Sequence, residues 1–142
     1  MTDPSLVTRK LALLVEHVAR LKRRRPADVA SLRADVDRLD AIALSVLVVV
    51  QESVDVAFHI ASDEGWGIAA TYREGFDLLA RHGVITVELA SQLGGAVRLR
   101  NRIAHGYGSV DVDTLWSDLP AGVAAFEAFA AAVSAFVQRS PA

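Results

Sequence analysis

The 142-residue chain contains no cysteine. That absence removes disulfide scaffolds, thiolate metal sites and cysteine nucleophiles together. Lysine is scarce as well: of the 15 basic residues, 13 are arginine and 2 are lysine. Nearly every cation is therefore a planar guanidinium suited to phosphate and carboxylate, although GC-rich codon usage enriches arginine, alanine and valine in the same way. Bulk positive charge is missing too, with a formal net charge of −2 and a pI of about 6.0. This excludes a protein that coats nucleic acid through overall charge and confines any such contact to a local patch. No apolar run approaches the roughly 20 residues of a membrane span. The longest, residues 41–50, is broken by Ser45 and followed by Gln51 and Glu52. The N-terminus lacks an apolar core bounded by a small-residue cleavage site, so the expected location is the cytoplasm, with no membrane partner.

What is present is apolar and helical. Hydrophobic residues make up 52% of the chain, above the usual figure of about 45–50%. Disorder is excluded, and part of the surplus is expected to be buried against a second chain. The length fits one domain spanning residues 1–142. Asp3 and Pro4 start a helix as N-cap and first residue, and Val7, Leu11, Leu14, Val18 and Leu21 form its apolar stripe. It ends in Lys22, Arg23, Arg24 and Arg25 before Pro26, read as a solvated helix end with an RNA- or partner-binding patch as the alternative. After a connection at residues 26–35, a long helix is predicted from Val36 to Glu64, stopped by Gly65 and Gly67. Its first half is apolar on nearly all sides, as in a helix central to a bundle or pressed against a second subunit. Thr71 and Glu74 form a capping box that opens a short helix closing at His82 and Gly83. A further helix is expected from Thr86 to His105, and a last one from Asp113 or Asp118, with Pro120 marking a kink or a fresh first turn.

Four histidines invite a search for chemistry. His17 and His82 read as surface or capping residues. His59 shares a helix face with Asp55 and reads as half of a core or interface pair, because no further metal ligand lies nearby. His105 stands apart, since Arg98, Arg100, Asn101, Arg102 and Tyr107 all lie within ten residues of one helix end. Asn101 and His105 stack on one face. Arg100 lies about 140° around from His105 on an ideal helix. Histidine can move protons near neutrality, and arginine can clamp a phosphate and the charge that builds on it. Together they suit cleavage of RNA, where the neighbouring 2′-OH is the nucleophile and the protein supplies acid, base and charge clamp. Two proton-transfer groups serve that reaction best, and a two-fold dimer would supply the second histidine. An Arg-x4-His pair is expected by chance roughly 0.4 times in such a chain, and with tyrosine two residues later fewer than about 0.01 times.

The stretch from Leu99 to Tyr107 resembles the signature of HEPN-domain ribonuclease toxins of the HepT-like branch. The likeness extends to Asp3 and Pro4, to Asp55 through Ala57, to Glu64 through Gly67, to Thr71 through Phe76 with Leu78 and Leu79, and to Gly83 through Ile85. The resemblance implies an all-α, HEPN-like antiparallel bundle of four main helices plus a short one, dimeric, with the motif of each chain lining a shared cleft. It implies a metal-independent endoribonuclease needing no cofactor, the toxin of a type II or type VII-like toxin–antitoxin pair. Its partners would be RNA, a second copy of itself and a cognate minimal nucleotidyltransferase antitoxin, with DNA not expected. Arg100 would bind phosphate and His105 would act as acid and base, with Asn101, Arg102 and Asp55 accessory. Tyr107 would be the residue to which the antitoxin transfers AMP, placing bulk and negative charge where the RNA phosphate must sit. One departure concerns Ala43, Leu44 and Leu47, which stand where the family carries charged and amide residues. They predict a drier interface or weaker activity, with Gln51, Glu52, Ser53 and, above all, Asp55 as the remaining polar lining. Two other readings stay open: a non-catalytic module that binds a nucleotide or a nucleotidyltransferase, and a helical scaffold whose arginines only form interface ion pairs.

Overall fold

The computed structural model describes residues 2–106 and 111–139. Six helices follow in order: α1 Pro4–Arg24, α2 Val29–Ala34, α3 Val36–Asp63, α4 Tyr72–Arg81, α5 Val87–His105 and α6 Val112–Arg139. No strand occurs among the described residues. Local chemistry sets the boundaries. The side chains of Asp3, Asp28, Asp35, Thr71 and Thr86 each accept from a backbone N–H of the helix they precede. In the capping box Thr71 Oγ1 accepts from the Glu74 N–H at 3.1 Å, while Glu74 reaches back to the N–H of Ala70 at 2.9 Å. Gly65 and Gly83 take positive φ, at 73° and 76°, just past the ends of α3 and α4, where a β-carbon would be strained. The last helix starts at Val112, ahead of either expected aspartate, and the connection at residues 26–35 holds the short α2.

The bundle is organised around α3, which packs against all five other helices. Ile42, Val49, Val50, Val54 and Ile60 along it are fully buried. From the flanks, Phe76 of α4 meets Phe129 of α6 edge-to-face, with centroids 5.8 Å apart, a geometry worth about 0.5–1.5 kcal/mol beyond burial. Two helices, α3 and α6, are long and apolar enough to cross a membrane by length and composition, and in α3 this reflects its central place in the core. Most of the apolar surplus expected at a dimer seam therefore goes into the chain's own interior. Leu44, 57% exposed, faces outward with half-buried Leu47 and Val48 beside it, while Ala43 is in the core.

Interior glycines of helices cost about 0.5–1 kcal/mol each relative to alanine. At Gly75 the reason is contact: a β-carbon there would stand 2.6 Å from the Phe58 ring, so glycine lets α4 lie close on α3. At Gly94 a β-carbon would stand 3.0 Å from the Arg73 side chain, which lies across α5.

Pro120 sits inside α6 instead of starting it. Lacking an N–H, it cannot serve the carbonyl of Trp116 four residues back. Arg25 fills that place: its Nε donates to the Trp116 carbonyl at 2.9 Å, and its guanidinium lies 4.0 Å from the centre of the indole ring. The indole N–H in turn donates to the Pro26 carbonyl at 3.0 Å. Lys22 pairs with Glu127. Two members of the basic run thus tie α1 to α6. Arg25→Met is expected to destabilise the protein by about 1–3 kcal/mol in urea unfolding. The loss should shrink in a Pro120→Ala background, where the restored N–H serves the carbonyl. An equal loss in both backgrounds would show that Arg25 does not act through it.

His17 is buried, not a surface or capping residue. Its Nδ1 lies 3.0 Å from the hydroxyl of buried Ser45 on α3, and its Nε2 lies 3.4 Å from Arg20. Burial first, then the Arg20 charge, lowers its pKa below the ordinary 6.5, against weaker opposing effects of Glu16 and Glu52. The unfolded chain then takes up the proton more readily than the folded one. Stability from this group is complete above about pH 6.5 and is lost as pH falls below it. The melting temperature of His17→Gln should accordingly fall less than that of the wild type between pH 7.5 and 5.5. Parallel curves would remove His17 as the cause.

Candidate functional site

The Arg/His motif closes α5. Gly106 caps the helix in an extended conformation, with its N–H bonded to the Arg102 carbonyl at 3.0 Å. His105, the last helical residue, is exposed, as are Asn101 and Arg102. Arg100 is half-buried on the inner side, where its guanidinium lies 5.5 Å from the centre of the Tyr72 ring on α4. Its Nη1 donates to Asn101 Oδ1 at 3.4 Å. Its Nε is buried and has no hydrogen-bond partner among the described residues. Arg100 and Asn101 are thus brought together. Arg100 and His105 lie on different sides of α5, as their spacing requires. Tyr107 lies outside the described residues.

Behind Arg100 a chain of polar contacts crosses the bundle. The Tyr72 hydroxyl donates to Gln51 Oε1 at 3.3 Å, and the Gln51 amide donates to Asp55 Oδ1 at 2.9 Å. Asp55 Oδ2 and Glu52 Oε2 both meet Lys10 of α1, at 3.2 and 3.3 Å. Burial works against the Lys10 ammonium, but Asp55 and Glu52 more than offset it and hold its pKa above the usual lysine value. Asp55 therefore reaches the motif only through Gln51 and the aromatic ring under Arg100. It does not pair with His59, which instead lies 3.0 Å from Asp63 one turn further on. Ser53 is buried and donates to its own helix at the Val50 carbonyl, so it lines no cleft. His82 caps α4 as expected and stacks on Trp66, with ring centres 4.1 Å apart. Among the described residues no group of three or more His, Asp or Glu is placed to hold a metal ion.

Sequence reasoning missed Tyr72 and Lys10. Both act across helices, so no local spacing marks them. His17 did carry a signal, since it falls three residues after Leu14 and four before Leu21 on the buried stripe of α1.

Comparison with known proteins adds five findings. The sequence profile of the HepT-like family, described as ribonuclease HepT-like, matches residues 14–133. An mRNA nuclease HepT of Shewanella oneidensis is 30% identical over 86 residues, covering 61% of this chain and 65% of that protein. A tRNA nuclease HepT of Aphanizomenon flos-aquae is 25% identical over 109 residues, covering 77% and 74%. Among solved structures, the tri-AMPylated Shewanella oneidensis HEPN toxin in complex with its MNT antitoxin superimposes with a TM-score of 0.85 at 26% identity. That match covers 95% of this chain and 99% of the toxin. The Bacillus subtilis cytosolic protein YutE, at 15% identity and a TM-score of 0.84, shares the fold.

The platform under Arg100 can be tested by its two parts. Tyr72→Phe keeps the ring and leaves Gln51 Oε1 without its donor, for an expected loss of about 1 kcal/mol in urea unfolding. Tyr72→Leu removes the ring as well and should lose about a further 0.5–1 kcal/mol. Equal stability of the two variants would show that the guanidinium does not use the ring.

Proposed function

The chain belongs to the HepT-like ribonuclease family, and from that premise we propose that it is the toxin of a toxin–antitoxin pair, a metal-independent endoribonuclease acting in the cytoplasm. The observation that carries the reading is the state of Arg100. Its guanidinium is held against Tyr72 with a buried, unpartnered Nε, five residues before an exposed imidazole. Among the described residues its Nη groups are engaged only by Asn101, at 3.4 Å, so the braced guanidinium keeps donors for an anion.

Cleavage needs three things at the phosphate. One imidazole takes the proton of the 2′-OH as its oxygen attacks phosphorus. A second, protonated, gives a proton to the departing 5′-oxygen, leaving a 2′,3′-cyclic phosphate and a 5′-hydroxyl. Arg100 stabilises the charge on the phosphoryl oxygens, with Asn101 orienting its guanidinium and Arg102 adding a second cation. Asp55 acts at a distance, by holding Gln51 and thereby Tyr72. Because one α5 presents Arg100 and His105 on different sides, the working unit is a two-fold dimer in which two copies of the motif face one cleft. The outward strip of Leu44, Leu47 and Val48, which continues to Gln51 on the same helix, supplies an apolar seam leading to it.

Its inhibitor on this reading is a minimal nucleotidyltransferase antitoxin that places AMP on Tyr107. The added phosphates would stand two residues from His105 and repel the RNA backbone. The complex of the Shewanella toxin with its MNT antitoxin and its AMPylated state support this assignment by similarity.

Expression of the chain alone is expected to arrest growth, and His105→Ala to relieve the arrest. The purified wild type should cut RNA to cyclic-phosphate ends, and the variant should not. Intact-mass measurement after co-expression with the antitoxin should show AMP increments that Tyr107→Phe lacks. An equally toxic His105→Ala would overturn the catalytic assignment. RNA binding without cleavage products by the wild type would favour a non-catalytic module instead.

A further inference from the structure

Four glycines interrupt α4, α5 and α6: Gly75, Gly94, Gly95 and Gly122. At the first a β-carbon would clash with the Phe58 ring, and at the second it would crowd the Arg73 side chain. The other two have none. A β-carbon at Gly95 would meet only Arg98 Nη2, at an ordinary 3.5 Å, and one at Gly122 would meet nothing within 4 Å. Both line one cavity of about 350 Å³ between α5 and α6, at the lower end of the roughly 300–1,000 Å³ of small-molecule sites.

The walls of this cavity are sorted by chemistry. Val46 and Val49 of α3, Leu21 of α1 and Phe126 of α6 contribute apolar surface. Arg98 and Arg102, one turn apart on α5, and Thr114 and Asp118 of α6 contribute the polar groups. Among the described residues neither Arg98 nor Arg102 has an ion-pair partner. Arg102 lies three residues before His105, so the cavity adjoins the motif along one helix.

We propose that this cavity receives one unstacked nucleobase of the RNA, with an adjoining phosphate held by Arg98 and Arg102. This rests on the ribonuclease reading above and specifies its substrate: single-stranded RNA with an amino-bearing base beside the cut. An apolar slot with two unpaired guanidiniums at its edge matches a flat ring joined to an anion. A docked apolar helix would not call for the cations. Single-stranded RNA is commonly read in this way, by a splayed base whose edge finds hydrogen-bond partners. The Asp118 carboxylate can only accept, so it favours a base edge rich in N–H donors: cytosine, adenine and guanine present an exocyclic amino group, whereas uracil offers a single N3–H flanked by two carbonyl oxygens that a carboxylate repels.

Gly122→Leu tests this directly. The new side chain enters open space, and leucine is a better helix former than glycine, so the variant should melt no lower than the wild type. Mapping of cut sites on a mixed-sequence RNA should show the wild type disfavouring uracil at one position flanking the cut. Gly122→Leu should lose that preference and at least about tenfold in kcat/KM, with the remaining cleavage still abolished by His105→Ala. Asp118→Asn, which can also donate, should admit uracil. Unchanged preference and kcat/KM in Gly122→Leu would overturn the pocket while leaving the ribonuclease intact. So would a Gly122→Leu protein whose only defect is dimer formation or antitoxin binding, which would make the groove a protein-docking site. Absence of any cleavage by the wild type would instead overturn the ribonuclease reading, and the pocket with it.

Discussion

A helix that is apolar around most of its circumference has to be surrounded, and α3 imposes that condition on the whole molecule. The five other helices all pack on it. Its few inward polar groups then have to find partners at the seams. Ser45 meets His17 of α1, Gln51 meets Tyr72 of α4, and Glu52 and Asp55 share Lys10 of α1. Each contact resolves the cost of placing a polar atom near the core, and each also fixes the rotation of a neighbouring helix against α3. The ring beneath Arg100 is positioned by this satisfaction of α3, so the candidate site inherits its geometry from the core.

The excess of arginine over lysine acquires a structural meaning from the same packing. Arg25 uses a planar, multi-donor group to serve a carbonyl and cover an indole at once. Arg73 lies across α5 at Gly94, and Arg100 lies against a tyrosine. A compact ammonium does none of these as well. Codon usage can raise arginine content, but it does not explain guanidiniums placed on an indole, a glycine and a phenol. Arg98 and Arg102 are the contrast, exposed on α5 beside the motif.

Helix identity and most helix ends were legible because caps and breakers act within a few residues. Asp3, Thr71, Thr86, Gly65 and Gly83 each mark a boundary that the structure keeps. Pro120 was ambiguous because its tolerance inside α6 depends on a donor from Arg25, remote in sequence. The same limit applies at the site. The composition of the motif and the helix end at Gly106 could be read directly, whereas the support for Arg100 could not. Tyr72 and Lys10 belong to it only through the packing of α1, α3 and α4. Asp55 and His59 illustrate the error that follows from local spacing alone: Asp55 pairs with Lys10, and His59 lies against Asp63, not against Asp55.

A four-residue gap between arginine and histidine is a poor design for one helix acting alone, since it turns the two side chains about 140° apart. The arrangement gains sense when the inner residue is braced and the outer one is free. Arg100 is braced against Tyr72 on the inner side of α5, while His105 stands exposed at the helix end. On the proposed reading, symmetry then supplies the second imidazole that the reaction needs, and the overall charge of −2 ceases to be an obstacle. Only the cations that converge on one phosphate matter there. On the same reading, a site assembled at the exposed ends of two helices would also be easily closed, because a charged group attached two residues beyond His105 in sequence would repel the substrate's own charge. Activity and inhibition would then follow from the same geometry.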